Sequence, residues 1–414
     1  MTGSQIRARR GGRSTGAWLC CAAIWLAVAA PAAAADSFNG RIAFSSVRTD
    51  PQAKEFDIFS MNSDGSDVRR LTTNPATDRQ SDWSPHGTDL AYTIRKPNAT
   101  VNFEVARMTA NGTHHRQLTM SPESQASSQP AWLPDGRGIL FRRSGPGRVS
   151  TIWQMGLFGQ TPALRFAPTH PPLYPTFAPD RRRVAYAAIL STTGDTDRGV
   201  FTQNVDGSAE TALFDVPGAY DSAPAWSPDG AQIAFESNAD VGGGNPEHDM
   251  EVWVMRSDGS GPTQLTHNTA HDEGPAWSPD GRLLAYTSGP DDTHGDIHVM
   301  TARGRELRRL TSYENADESP DWQAIPAPRT DARCGGLART GPGAYDVRRA
   351  GRGLTCADAR GLVRRWLAAH RPRHVRGYAA TATDFGGLRR VALRRTDGAR
   401  HRLVAFLYQS DSTR

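Results

Sequence analysis

Between Phe38 and Ile325 apolar and polar residues alternate in short runs, and no run carries the 3.6-residue spacing of a helix. The runs are of two kinds. The first follows a Pro-Asp-Gly turn or a variant of it: DLAYTI from Asp89, GILFRR from Gly138, RVAYAA from Arg183, QIAFES from Gln232 and LLAYTS from Leu283. The second opens a hairpin around a Gly-containing turn. Its copies begin at Asp57 (DIFSMNSDGSDVRRLT), Glu104, Thr151, Gly199, Glu251 and Asp296 (DIHVMTARGRELRRLT). Ahead of each first-kind run stands an aromatic anchor. PAWSPDG occurs at residues 224–230 and 275–281, with weaker copies from Gln80, Gln129 and Tyr174 and a truncated ESPDWQ from Glu318. The anchors Trp83, Trp132, Phe177, Trp226, Trp277 and Trp322 are spaced by 49, 45, 49, 51 and 45 residues. Repeats of this length bury their apolar faces on their neighbours, and four short antiparallel strands per repeat make a propeller blade.

The two ends of the array are complementary. It enters with RIAFSS at Arg41, a second strand with no first strand before it, and leaves with ESPDWQ, a first strand with no second strand after it. Pairing these two completes six blades and removes the open edge that would otherwise invite aggregation. The expected fold is therefore all-β: a six-bladed propeller closed by the last strand of the array, with the anchor aromatics packed between blades. A small α+β domain follows it.

Four spans are expected: a signal peptide over 1–35, the propeller over 36–325, a linker over 326–333 and a basic domain over 334–414. Arg7, Arg9, Arg10 and Arg13 precede an apolar run at 17–30, and Ala33-Ala34-Ala35 offers a small-residue cleavage site. That run is too short for a membrane anchor, and Trp18-Leu19 ahead of Cys20 does not suit lipidation. The mature chain then keeps Cys334 and Cys356, expected as a disulfide in an exported protein.

The formal net charge of +5 conceals a separation. Residues 328–414 hold 19 Arg against 6 Asp, a net of +13, and the propeller span 36–327 is left at −12. The basic tail reads as a solvated face or as a contact for an anionic envelope polymer or the propeller's acidic rim. Within it, 344–349 and 391–395 read as strands, 402–408 as the partner of the latter across Thr396-Asp397-Gly398, and 355–369 as a helix. Its apolar face is Cys356, Ala359, Val363, Trp366 and Leu367.

The order PxWSPDG, xLAY, DIxVM, DG, RxLT, cleanest at 275–288 and 296–311, resembles the TolB-type propeller across residues 40–325. The resemblance implies a six-bladed propeller. In TolB proteins the propeller is a periplasmic partner of envelope lipoproteins and colicins and follows an α/β domain, whereas here a signal peptide precedes it. The tail around Cys334 and Cys356 looks like a small module found behind secreted bacterial proteins.

A similar propeller precedes the hydrolase domain of prolyl-oligopeptidase-like enzymes, but the only G-x-S-x-G here lies at 12–16, inside the leader, without the strand and helix that a nucleophile elbow needs. No zincin, P-loop or dinucleotide fingerprint occurs. His114-His115 sits in a hairpin turn and reads as a solvated pair.

One constellation remains. Five residues before each anchor stand Asp78, Ser127, Pro172, Asp221, Asp272 and Asp317. Equivalent positions in a ring point to one place, so four carboxylates are expected around one channel mouth, with Glu273 and Glu318 beside two of them. Such a ring suits a cationic group of a partner, or Ca2+ through oxygen ligands and waters. An Asp before a strand also caps its own turn, which is the competing reading.

The expected function is exported and non-enzymatic: binding of a protein, peptide or cell-envelope component at the channel-mouth face, by a monomer without nucleic-acid partners. The alternatives are a sensing or substrate-gating partner of a secreted hydrolase, and a purely structural module.

Overall fold

The computed structural model describes residues 37–409 except 50–54, 96–102, 149, 158–160, 192–196, 292–293, 327–331, 334–342, 351–355, 369–373, 376–377, 386–387 and 396–402; residues 1–36 and 410–414 also lie outside the described residues. Six four-stranded antiparallel sheets run in sequence around a closed propeller. The inner strands are Asp317–Pro326 for blade 1, then Asp78–Trp83, Ala126–Trp132, Pro172–Phe177, Asp221–Trp226 and His271–Trp277 for blades 2 to 6. Outer strands are two to four residues long, as in Arg69–Arg70 and Glu306–Arg309.

The expected closure is present. Asp317–Pro326 pairs antiparallel with Ser37–Ser46, placing Ser46 opposite Asp317 and Ile42 opposite Trp322. The core is a set of seams rather than one centre. At the closing seam Trp322 packs with Ile42, Phe44 and Met61 of blade 1 and with Ala285 and Ile297 of blade 6. Each of the other five seams has a cluster of the same kind, such as Trp83 with Ala43 and Ile58 of blade 1 and Leu90 and Met108 of blade 2. Each anchor thus buries its ring between two sheets, and in two blades its indole N–H also crosses the seam, from Trp132 to the Asp82 carbonyl (3.0 Å) and from Trp277 to the Ala225 carbonyl (3.1 Å).

The repeat residues have local reasons. The Thr of each Leu-Thr pair stops the outer strand: Thr72 Oγ1 accepts the Ile58 N–H at 2.9 Å and donates to Asp57, and Thr311 does the same with Ile297 and Asp296. The hairpin glycine lets that turn lie on the preceding blade. A Cβ on Gly65 would sit 2.7 Å from the Leu310 carbonyl, and its φ of +84° is one that other residues resist.

Beyond the propeller a six-stranded sheet runs in the order Ala332–Arg333, Gly343–Ala350, Leu403–Gln409, Leu388–Arg395, Tyr378–Phe385, His374–Val375. The helix Cys356–Ala368 buries Ala359, Leu362, Val363 and Trp366, while Arg364 faces solvent. The strand at 378–385, YAATATDF, lacks the apolar alternation that would announce it. Cys334 lies outside the described residues, as do residues 1–35, where a signal peptide is expected. No helix among the described residues is long and apolar enough to cross a membrane.

Candidate binding channel

Every inner strand carries the same irregularity. Its ladder slips three residues before the anchor, and the residue there has positive φ: Gln80, Gln129, Tyr174, Ala223, Gly274 and Ser319, from +45° to +58°. This is a β-bulge repeated six times. In five of the six blades it turns the N–H out of its own ladder to a side chain of the preceding blade. Gln80 donates to Ser45 Oγ (3.3 Å), Gln129 to Thr93 Oγ1 (3.0 Å), Tyr174 to Gln129 Oε1 (3.0 Å) and Ser319 to Thr287 Oγ1 (3.2 Å).

The strand starts frame one end of the channel, and here the sequence expectation needs correction. Asp78, Asp221, Asp272 and Asp317 are all 0% exposed. None is a surface that a partner can touch. Asn74 donates to Asp78, Asn268 to Asp272 (2.7 Å), Ser237 and the Val216 N–H to Asp221, and Arg48 to Asp317. Asn74 and Asn268 belong to the turns leading into the same strands, so these two carboxylates do what the capping reading describes. Burial pushes the Asp78 and Asp221 carboxyls up to about 7, and that of Asp272 upward as well. Among the described residues no set of three or more His, Cys, Asp or Glu is placed to hold a metal ion. The calcium expectation has no ligand set there and is not carried further.

One residue along, the side chains do reach the channel. Arg79, Glu273 and Glu318 are only partly buried. Tyr174, on the inner strand of blade 4, lines the central cavity, within the electrostatic reach of Glu236, Arg198, Glu318 and Arg79 from blades 5, 4, 1 and 2. Burial pushes its hydroxyl up to about 12. Burial also raises the Glu318 carboxyl, with Arg79 opposing. Glu236 accepts the Gly274 N–H at 2.7 Å and is likewise raised by burial, with Arg198 opposing. The Arg198 guanidinium stacks 3.7 Å over the Tyr220 ring, and that of Arg79 lies 5.0 Å from the Phe103 ring. Glu273 faces His271 across 3.9 Å.

Toward the other end, the three residues before each anchor line a cavity of about 310 Å³. Two of them are acidic. Asp321 Oδ2 accepts the Trp83 N–H at 2.6 Å, and Asp82 Oδ2 accepts the Trp132 N–H at 2.6 Å. Burial, then the neighbouring Asp321, raises the Asp82 carboxyl. Sequence reasoning missed Tyr174, Arg198, Glu236, Asp82 and Asp321. The repeat contained a signal for three of them: counting one and three residues back from the anchors would have marked Asp82, Asp321 and Tyr174 as channel positions.

Residues 159–326 match the family model described as "TolB beta propeller domain". The chain is 35% identical over 122 residues to the Tol-Pal system protein TolB of Anaeromyxobacter dehalogenans, which covers 29% of this chain and 26% of that protein. It is 28% identical over 99 residues to the uncharacterized peptidase YuxL of Bacillus subtilis, covering 24% of this chain and 15% of that one. The chain thus spans about a quarter or less of these relatives. Among solved structures, TolB from Acinetobacter baumannii superposes with a TM-score of 0.57 at 18% identity, over 69% of this chain and 66% of that one. This is a likeness of fold.

Proposed function

From a six-bladed propeller of the TolB type, we propose an exported, non-enzymatic binding protein that receives a protein or peptide partner of the cell envelope at the end of the channel where the inner strands begin. The observation that carries this reading is an aromatic ring in the channel, Tyr174, with part-exposed Arg79 and Glu318 at the strand starts and with Arg198 over Tyr220 and Glu236 on Gly274 nearby. Aromatic and Arg groups in a concave, mixed-sign setting suit a chain that brings its own paired charges and amides. Glu273 and Glu318 stay in the site. The four buried Asp support the rim from within. The connections that enter the third strands, including residues 238–250, border the same end, where loops on a rigid scaffold commonly carry binding.

The remaining divisions belong to the same reading: a leader over 1–35, a propeller over 36–325, a linker over 326–333, and a basic domain over 334–414 held by a Cys334–Cys356 disulfide and turned to an anionic envelope polymer. The similarity to a peptidase over 99 residues keeps a second reading in play, a gating partner of a secreted hydrolase. Two measurements separate them. Envelope extract is passed over the immobilised exported protein and over Arg79→Ala and Glu318→Gln variants. A partner held by wild type and lost from both variants supports the channel mouth, and equal capture by all three overturns it. Hydrolysis of peptide substrates by the purified protein alone would overturn the non-enzymatic assignment.

A further inference from the structure

The cavity at the far end of the channel meets the partner-binding reading only at Tyr174, and its other walls are selective. Two residues before the anchors stand Pro130, Pro175, Pro224, Pro275 and Pro320, with Ser81 replacing proline in blade 2. One residue before the anchors, four blades carry Ala131, Thr176, Ala225 and Ala276, and only the adjacent blades 1 and 2 carry acids, Asp321 and Asp82. The chamber is therefore walled by prolines and small residues, ringed by the polar side chains of Gln80, Gln129, Tyr174 and Ser319, and acidic on one side.

The acids are not needed to close the seams, because four blades manage with Ala or Thr at the same position. Each is held in place by a backbone N–H of the next blade's anchor, and neither makes an ion pair among the described residues. Burial and mutual repulsion favour keeping a proton on the pair, and a bound cation would let both ionise. The Ser81 hydroxyl and the Trp226 indole N–H are buried in the chamber wall without a hydrogen bond, as are the indoles of Trp83 and Trp322 in their seams. Trp226 belongs to blade 5, across the ring from blade 2.

We propose that this cavity is a binding site for an arginine or lysine residue, entered side chain first. The guanidinium or ammonium group sits at Asp82 and Asp321, and the aliphatic stem lies along the proline wall. A volume of about 310 Å³ admits one such residue and no folded segment. Two carboxylates fall short of the oxygen set a hard metal ion requires. Tyr174 lines this cavity too, so the two sites share that ring, while Asp82 and Asp321 belong to this one alone; loss of partner capture on Arg79→Ala therefore tests the mouth, and loss of the arginine probe on Asp82→Asn tests this site.

The test uses calorimetry and thermal melts of the exported protein at pH 8 and low salt, with Nα-acetylarginine amide as the probe and the uncharged isostere Nα-acetylcitrulline amide as control. Binding of the arginine compound, with citrulline at least tenfold weaker, is expected. Asp82→Asn keeps an oxygen for the Trp132 N–H and should weaken the arginine compound at least tenfold. Ala225→Leu should do the same by filling the chamber, and melting curves report whether either variant is folded. The proposal is overturned if the two compounds bind alike, if neither binds at 10 mM-scale concentration (roughly the weak end of useful affinity), or if folded Asp82→Asn binds arginine as wild type does. A Gly-Gly-Arg-Gly-Gly peptide tells the sources apart: tighter binding than the single residue assigns the site to a peptide side chain, and equal binding to a free cationic amino-acid derivative.

Discussion

The Gly274 N–H donates to Glu236 Oε2 at 2.7 Å across the seam between blades 5 and 6. Gly274 can do so because its φ of +58° turns the N–H out of its own ladder. The same step in blade 1 is made by Ser319 toward Thr287, so the closing seam is held as the others are. The bulges thus serve two ends: they tie five of the six inner strands to the blade before, and they set which side chains look into the channel.

Gly274→Ala should cost about 1 kcal/mol, the price of holding an L-residue in the left-handed region. A Cβ there would meet only the Ser319 Cα at 3.8 Å and the Pro320 Cδ at 4.0 Å, so backbone conformation alone is at issue. Gly274→Val should cost more, since β-branching is worst at positive φ. Urea unfolding checks both, and unchanged midpoints would remove the bulge from the account of the seams.

Trp322→Ala should destabilise by about 3–5 kcal/mol, the usual range for deleting a buried aromatic. Trp322 is 4% exposed at the closing seam. Deleting residues 318–323 should do more, leaving Ser37–Ser46 as an open edge that aggregates. Light scattering with thermal melts measures both. A monomeric deletion variant with an unchanged melt would contradict closure as a source of stability.

Stability should fall as pH rises from about 4 to about 7. Asp78 and Asp221 hold their protons to about 7 in the folded state through burial, whereas their ordinary value is 3.8. Between those limits the folded state binds more protons than the unfolded one, so raising the pH favours unfolding until both states are ionised. The melting temperature at pH 5 should exceed that at pH 8 by several degrees, at roughly 2–4 °C per kcal/mol for a chain of this size. Asp78→Asn, which no longer titrates, should melt higher than wild type at pH 8 and show a shallower dependence. A wild-type curve that is flat or rising over this interval would refute the assignment.

Peptide mapping of the exported protein without reductant should recover Cys334 joined to Cys356. Reduction should then destabilise the basic domain by ~3 kcal/mol on the chain-entropy model while leaving the propeller's melt in place. Free thiols at both positions would refute the pairing.

The sequence by itself determined the propeller. The anchors, the turns and the complementary ends specify six blades and the strand that closes them, because strand alternation and turn chemistry are local and repeat without loss. It also located the helix that the structure shows as Cys356–Ala368, from one apolar face. The direction of the acidic side chains was not legible. Counting back from the anchor by alternation places Asp78, Asp221, Asp272 and Asp317 at the mouth, but each strand carries a bulge between that position and the anchor, and one extra residue reverses the face. The side chains that reach the channel are therefore Arg79, Glu273 and Glu318. What only the tertiary structure decided is which charges meet. Asp82 and Asp321 come from opposite ends of the array and become neighbours when the ring closes, and Tyr174 comes within the electrostatic reach of Arg79 and Glu318 only across the channel. No local pattern encodes a distance across a closed ring, since it depends on the packing of all six seams together.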